Sequence, residues 1–166
     1  DILCIGKALT GGFVSLAATV ANKKIFNAFL SKKNSKEFMH GPTYMANPLA
    51  CSAANASLDL FDKENYYNKV NGIQKILENN LTKFNELTFV KETRVKGAIG
   101  VIEFFDLSNK KKEWLKKEFI KNGIWIRPLR NIIYFMPPFI IKKKELIYLI
   151  DTTFNVLNNW KYNEKN

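Results

Sequence analysis

The amino-acid sequence predicts an α/β protein. Ile2-Leu3-Cys4-Ile5 is a short apolar run closed by Gly6, the pattern of a buried strand. Asn47-Pro48 opens an Ala- and Ser-rich helix in the expected way, a capping side chain followed by proline at the first helical position. Past Phe89, short strand-like runs alternate with helical ones, which describes a compact α+β unit. Composition agrees, because 166 residues that are 46% hydrophobic and 13% aromatic build a packed core and do not describe a disordered chain.

In order along the chain, Lys7 stands at the end of the first strand and Thr10-Gly11-Gly12 is a turn. Residues 13–20 read as a second strand or a partly buried extended segment, and Asn22 caps a short helix over 23–30. A polar loop over 31–37 leads to His40-Gly41-Pro42-Thr43, and the Asn47-Pro48 helix covers 49–61. Residues 65–87 carry Val70, Ile73, Ile76, Leu77, Leu81 and Phe84 at helical spacing. A helix of that length often bridges domains, so the boundary is set near its start, giving 1–64 and 65–166. Strands are expected over 89–95 and 98–105, around Lys96-Gly97, then a helix over 110–121 closed by Asn122-Gly123. Short strands follow over 124–127 and 132–136, the second stopped by Pro137-Pro138, and a last helix over 143–160 precedes a frayed tail after Lys161. Beyond the 65–87 helix, the second unit is thus expected to hold two strand pairs and two helices.

The chain opens at Asp1 directly into an apolar run, which resembles the middle of a domain more than a free terminus or a signal peptide. Lys7 and Gly11-Gly12 interrupt the most apolar region, 2–21, so a soluble protein with no membrane partner is expected. Cys4 and Cys51 read as buried small hydrophobes, not a disulfide, and the default location is cytoplasmic. A net charge of +11 invites a nucleic-acid reading, but the positive charge is nearly all Lys, with arginine only at positions 94, 127 and 130. Lysine, Asn and Ile enriched together point to nucleotide bias, so no nucleic-acid partner is expected.

Three places could carry chemistry. Lys7, emerging from a buried strand, would lose solvation and present the neutral amine that Schiff-base chemistry needs; the alternative is a strand-end lysine reaching to solvent. In His40-Gly41-Pro42-Thr43, Gly allows close backbone approach, Pro stiffens the turn and Thr offers a hydroxyl and an N–H to an anion. Taken alone, those residues read more simply as an ordinary tight loop before a capped helix. His40 is the only histidine and has no ligand-spaced Cys, Asp or second His, so no metal site is expected. Arg127, within Ile124-Trp125-Ile126-Arg127-Pro128, is costly in so apolar a strand unless an anion pairs with it, either a substrate carboxylate or a protein carboxylate. No Walker loop, dinucleotide fingerprint, zinc-spaced cysteine pair or Gly-X-Ser-X-Gly elbow occurs.

Read together, several segments resemble the class III aminotransferases of pyridoxal-phosphate fold type I. They are Asp1-Ile2-Leu3-Cys4-Ile5-Gly6-Lys7-Ala8-Leu9-Thr10-Gly11-Gly12, Leu16-Ala17-Ala18-Thr19, Met39-His40-Gly41-Pro42-Thr43-Tyr44-Met45 and Asn47-Pro48-Leu49-Ala50-Cys51. Gly97-Ala98-Ile99-Gly100-Val101, Trp125-Ile126-Arg127-Pro128 and Tyr134-Phe135-Met136-Pro137-Pro138 continue them in order. The resemblance implies that 1–64 is the end of a large cofactor-binding α/β domain and 65–166 an interdomain helix with the C-terminal small α+β domain. It implies pyridoxal 5'-phosphate as cofactor. Lys7 matches the lysine that binds the cofactor and then moves a proton on the substrate, and Pro42 and Thr43 match the phosphate turn reached from the neighbouring subunit of a homodimer. Gly41 matches a backbone contact to substrate, and Arg127 the arginine that holds a substrate carboxylate.

His40-Gly41-Pro42-Thr43 with the following Tyr-Met, and Trp125-Ile126-Arg127-Pro128, are similar to the branch of the family that acts in biotin biosynthesis. That branch implies small-molecule substrates: S-adenosylmethionine as amino donor and 8-amino-7-oxononanoate as acceptor, giving 7,8-diaminononanoate. Ornithine- and aminobutyrate-type relatives are the alternative, and they commonly have Ser or a similar residue where Pro42 stands. A basic nucleic-acid-binding module is a remote third reading. Members of the family are longer, and their N-terminal part supplies the acidic partner of the pyridine nitrogen, a Gly-Ser-type phosphate turn and cofactor-stacking aromatics. The chain alone is therefore expected to be inactive, with Ile2–Ile5 lacking strand partners.

Overall fold

The structure, a computed structural model, describes residues 1–30, 32 and 34–163. The chain divides into two compact units, Asp1–Asn65 and Tyr66–Asn166.

In the first unit, β1 (Ile2–Ile5) pairs antiparallel with β2 (Ala18–Ala21), in a register that sets Ile2 opposite Ala21 and Ile5 opposite Ala18. The expected strand over 13–20 contracts to its last residues plus Ala21, and 13–17 are irregular. Strand β1 does have a partner, contrary to expectation, and it is not buried: Ile2 and Leu3 are each 59% exposed. Among the described residues no second layer covers this two-stranded ribbon, so its apolar side chains stay exposed. Cys4 is exposed for the same reason, which corrects its reading as a buried hydrophobe; both cysteines are free.

Helix α1 (Lys23–Phe29) starts where Asn22 accepts a hydrogen bond from the Ile25 N–H at 3.0 Å. The expected polar loop contains a 3₁₀ turn, Asn34–Lys36, and Ser31 and Lys33 lie outside the described residues. Helix α2 (Pro48–Lys63) begins with Pro48 at its first position and with the Asn47 side chain accepting from Leu49 and Ala50 N–H at 3.0 and 3.2 Å.

The second unit has the three helices expected, around a single three-stranded antiparallel sheet in place of two strand pairs. Its strand order is β3 (Val90–Lys96), β4 (Ile99–Phe104), β5 (Ile132–Phe135). Strands β3 and β4 form a hairpin whose first turn residue is Gly97 at φ 56°, a conformation glycine adopts without cost. Helix α3 (Tyr66–Leu81) ends earlier than expected and tightens into a 3₁₀ turn, Thr82–Glu86, that buries Phe84. Helix α4 (Asn109–Lys121) is capped by Ser108, and α5 (Lys143–Asn163) carries the chain past the point where fraying was expected; residues 164–166 of that tail lie outside the described residues.

The apolar stripes Ile73-Leu77-Leu81 of α3 and Leu146-Ile150-Leu157 of α5 close over the sheet residues Ile102, Phe104, Ile133 and Phe135. Where α3 crosses the sheet the fit is close. A Cβ on Gly100 would lie 2.7 Å from Leu81 Cδ1 and 3.2 Å from Leu77 Cδ2.

Residues 124–127, expected as a strand, are not hydrogen-bonded into the sheet. They run extended into a tight turn in which Leu129 and Ile132 exchange backbone hydrogen bonds of 2.8 and 2.9 Å, with Arg130 at φ 50°. Alternation survives without the ladder: Ile124, Ile126 and Pro128 are buried, while Trp125 and Arg127 face outward.

Candidate functional site

Strand β1 delivers the chain into a 3₁₀ turn, Lys7–Thr10, and Lys7 takes the change of direction at φ 52°. Left-handed backbone is sparsely populated for a residue with a side chain. The turn closes through the Gly11 N–H, which donates to the Ala8 carbonyl at 3.0 Å, and through Phe13 N–H to Thr10 carbonyl at 3.2 Å. Gly11 and Gly12 follow at φ 62° and 86°, which their missing Cβ permits. Thr10 is buried, and its hydroxyl donates to the Val14 carbonyl. From α2, the Ser57 hydroxyl donates to Ala8 carbonyl at 3.2 Å. Lys7 itself is exposed, on an open cleft of about 590 Å³ lined also by Gly12 and residues 13–17.

Of the two readings of Lys7, a desolvated amine leaving a buried strand or a strand-end lysine reaching to solvent, the second describes its surroundings. The strand is exposed, Lys7 is exposed, and what distinguishes the residue is backbone conformation. Nothing local announces a left-handed lysine; the flanking Gly6 and Gly11-Gly12 are the only signals of an unusual path.

Gly41, Pro42 and Thr43 are exposed and lead directly to α2. The Met45 N–H donates to Pro42 carbonyl at 2.9 Å, Ala46 turns at φ 53°, and Asn47 N–H donates to Tyr44 carbonyl at 3.3 Å. The ring of His40 lies 5.7 Å from that of Phe38, an aromatic contact. Thr43 therefore presents its hydroxyl just before the N-terminus of a helix of 16 residues, an end that favours anions. Among the described residues no hydrogen bond joins this turn to the Lys7–Thr10 turn. Ser57 sits ten residues beyond Asn47, about 15 Å along α2.

Arg127 belongs to the second unit. Its outward position corrects the premise that it is enclosed by apolar residues, since alternation with buried Ile126 and Pro128 turns the guanidinium to solvent. Among the described residues it forms no ion pair, so a structural salt bridge does not account for it. An exposed guanidinium of this kind is available to a carboxylate in bidentate fashion.

One cluster of paired charges lies on the sheet. Glu103 accepts from Lys91 at 2.7 Å and from Arg94, and Arg94 also donates to Glu92. Hydrogen bonds from Lys91 and then Arg94 hold the Glu103 carboxyl below the usual carboxylate range, and Glu103 in turn raises both cations. These are surface pairs that brace β3 against β4.

A primary amine on a braced turn beside an open cleft can condense with an aldehyde or ketone. Residues 1–157 match the protein family described as aminotransferase class-III. The adenosylmethionine-8-amino-7-oxononanoate aminotransferase of Buchnera aphidicola subsp. Schizaphis graminum is 46% identical, covering 95% of this chain and 38% of the relative. The enzyme of that name from Saccharomyces cerevisiae is 37% identical, covering 97% of this chain and 35% of the relative. The crystal structure of the enzyme of that name from Methanocaldococcus jannaschii matches at TM-score 0.85 and 37% identity, covering 96% of this chain and 39% of the other. The chain thus spans 38% or less of the length of these two curated relatives.

Proposed function

The chain belongs to the class-III aminotransferases, and on that premise we propose that it supplies the reactive lysine and the substrate arginine of a transaminase in biotin synthesis. The amino donor is S-adenosylmethionine and the acceptor 8-amino-7-oxononanoate, giving 7,8-diaminononanoate; the names and identities of the relatives support that pair. The observation that carries the reading is Lys7, an exposed amine on a turn braced by two hydrogen bonds to one carbonyl.

The residues present fit part of a pyridoxal 5'-phosphate site. Lys7 offers the amine for the aldehyde, and Thr43 a hydroxyl and a nearby helix N-terminus for the phosphate, with Pro42 stiffening the turn. When bound, the cofactor delocalises the electron pair left on the substrate carbon as its proton departs. The Lys7 amine holds the cofactor until substrate takes its place; freed, it removes that proton and returns it. Gly41 gives substrate a backbone contact without a side chain in the way, and Arg127 holds the keto-acid carboxylate. The separation of about 15 Å along α2 between Asn47 and Ser57 supports Pro42 and Thr43 serving the site of a second copy in a homodimer.

Because the chain spans 38% or less of the length of these relatives, the 166 residues by themselves are expected to be inactive, with the other cofactor contacts supplied elsewhere. Among the described residues no helix is long and apolar enough to cross a membrane. Free Cys4 and Cys51 support a reducing, cytoplasmic setting.

Borohydride reduction of the full-length, cofactor-loaded protein, followed by peptide mapping, tests the reading. A pyridoxyl group on Lys7 is expected, with loss of transamination by more than about a hundredfold in Lys7→Ala. An unmodified Lys7 in folded, cofactor-saturated protein overturns it. Turnover with ornithine or aminobutyrate instead of S-adenosylmethionine would keep the chemistry and reassign the substrates.

A further inference from the structure

Lys7 holds its backbone at φ 52°, where a side chain persists only if the surroundings impose it. The next residue, Ala8, is held by contacts on both sides of the turn. Its carbonyl accepts two hydrogen bonds, one local, from the Gly11 N–H at 3.0 Å, and one from the Ser57 hydroxyl at 3.2 Å, 49 residues along the chain. The local bond closes a 3₁₀ turn wherever that turn happens to point. The bond from Ser57 ties the turn to α2, a helix with its own cap and proline start. The two approach closely, since a Cβ on Gly11 would lie 3.8 Å from Ser57 Oγ and 3.7 Å from the Phe13 ring.

We infer that Ser57 is a positioning residue for Lys7, acting through the Ala8 carbonyl; the inference rests on the role proposed above for Lys7. The hydroxyl fixes the direction in which the turn leaves β1 and so the path of the Lys7 amine. Without it the Lys7–Thr10 turn keeps its local bond, and Lys7 is free to relax toward right-handed backbone, which carries its amine elsewhere. Helix α2 does not depend on the hydroxyl. Ser57 lies mid-helix and half-buried, and alanine is the better helix former there. Ser57→Ala should therefore loosen one turn and leave the fold alone.

The test compares full-length wild type, Ser57→Ala and Ser57→Thr. In cofactor-free protein, Ser57→Ala should speed amide hydrogen exchange over residues 7–12 by about threefold to tenfold and leave α3 unchanged, the factor that one ordinary hydrogen bond carries. In loaded protein, kcat should fall by a similar threefold to tenfold, with KM for the keto acid within about twofold. Ser57→Thr, which restores the hydroxyl, should recover both. Wild-type kcat in Ser57→Ala overturns the inference, and so does a Ser57→Thr protein as impaired as Ser57→Ala. Borohydride mapping of wild type separates the two ways of failing. Lys7 labelled, with Ser57→Ala indistinguishable from wild type, removes the Ser57 role alone; Lys7 unlabelled removes the Lys7 role and this inference with it.

Discussion

The two units of this chain draw on similar stocks of apolar residues and use them in opposite ways. In the second unit Phe84, Phe104, Phe119 and Phe135 are buried within a core closed by α3, α4 and α5. In the first, the buried residues among those described are Thr10, Ala50 and Ala54, while Phe13 is 90% and Leu49 80% exposed. A three-stranded sheet with helices has a second layer for each apolar stripe; a two-stranded ribbon has none. What holds the first unit is directional: the caps of Asn22 and Asn47, the Thr10 hydroxyl, and the Ser57 bond to Ala8. Burial stabilises one unit, and hydrogen-bonded turns shape the other, which carries the reactive amine.

Cutting the chain between Asn65 and Tyr66 would probe that contrast with the largest expected effect. Residues 66–166 should melt as one cooperative transition by circular dichroism, and residues 1–65 should show none. A cooperative melt from 1–65 would break the comparison outright. Next in size come paired truncations. Phe119→Ala should cost about 3–5 kcal/mol in denaturant titration of the chain, through the cavity it leaves, and Phe13→Ala within about 0.5 kcal/mol. Equal costs would mean that Phe13 is packed as closely as Phe119, and the contrast between the units would fail.

Gly100→Ala sharpens the account of the second unit. Its Cβ would meet Leu81 and Leu77, both buried, so a loss of about 1–3 kcal/mol is expected in the same titration. The smallest effect is electrostatic. The folded Glu103 carboxyl titrates below its ordinary value, so its contribution is present above the unfolded carboxylate range and is lost as pH falls through the lowered folded value. The stability gap between wild type and Glu103→Gln should be widest near neutral pH and close in acid. A gap that widened in acid would mean that the folded Glu103 carboxyl titrates above its ordinary value, not below it.

Much of the candidate site was legible because its signals are local. Asn47-Pro48 set the start of α2, and with it the position of Thr43 before that helix, because capping needs only adjacent residues. Motifs single out Lys7, Gly41, Pro42, Thr43 and Arg127, but an apolar local sequence does not bury Lys7 or Arg127, and both are exposed. Ser57 was invisible, since its partner Ala8 is 49 residues away and a serine in a helix carries no mark of that contact.

The sequence by itself determined the helices, whose 3.6-residue stripes and capping residues act within a few positions, and membership of the family, which ordered motifs along the chain carry. Tertiary structure alone decided that β2 starts at Ala18, that 124–127 stays outside the sheet, and that one sheet of three strands stands where two pairs were expected. It also decided that Lys7 turns left-handed. Strand pairing, burial and an imposed backbone angle each depend on residues distant in sequence, and no local pattern encodes which distant partner arrives.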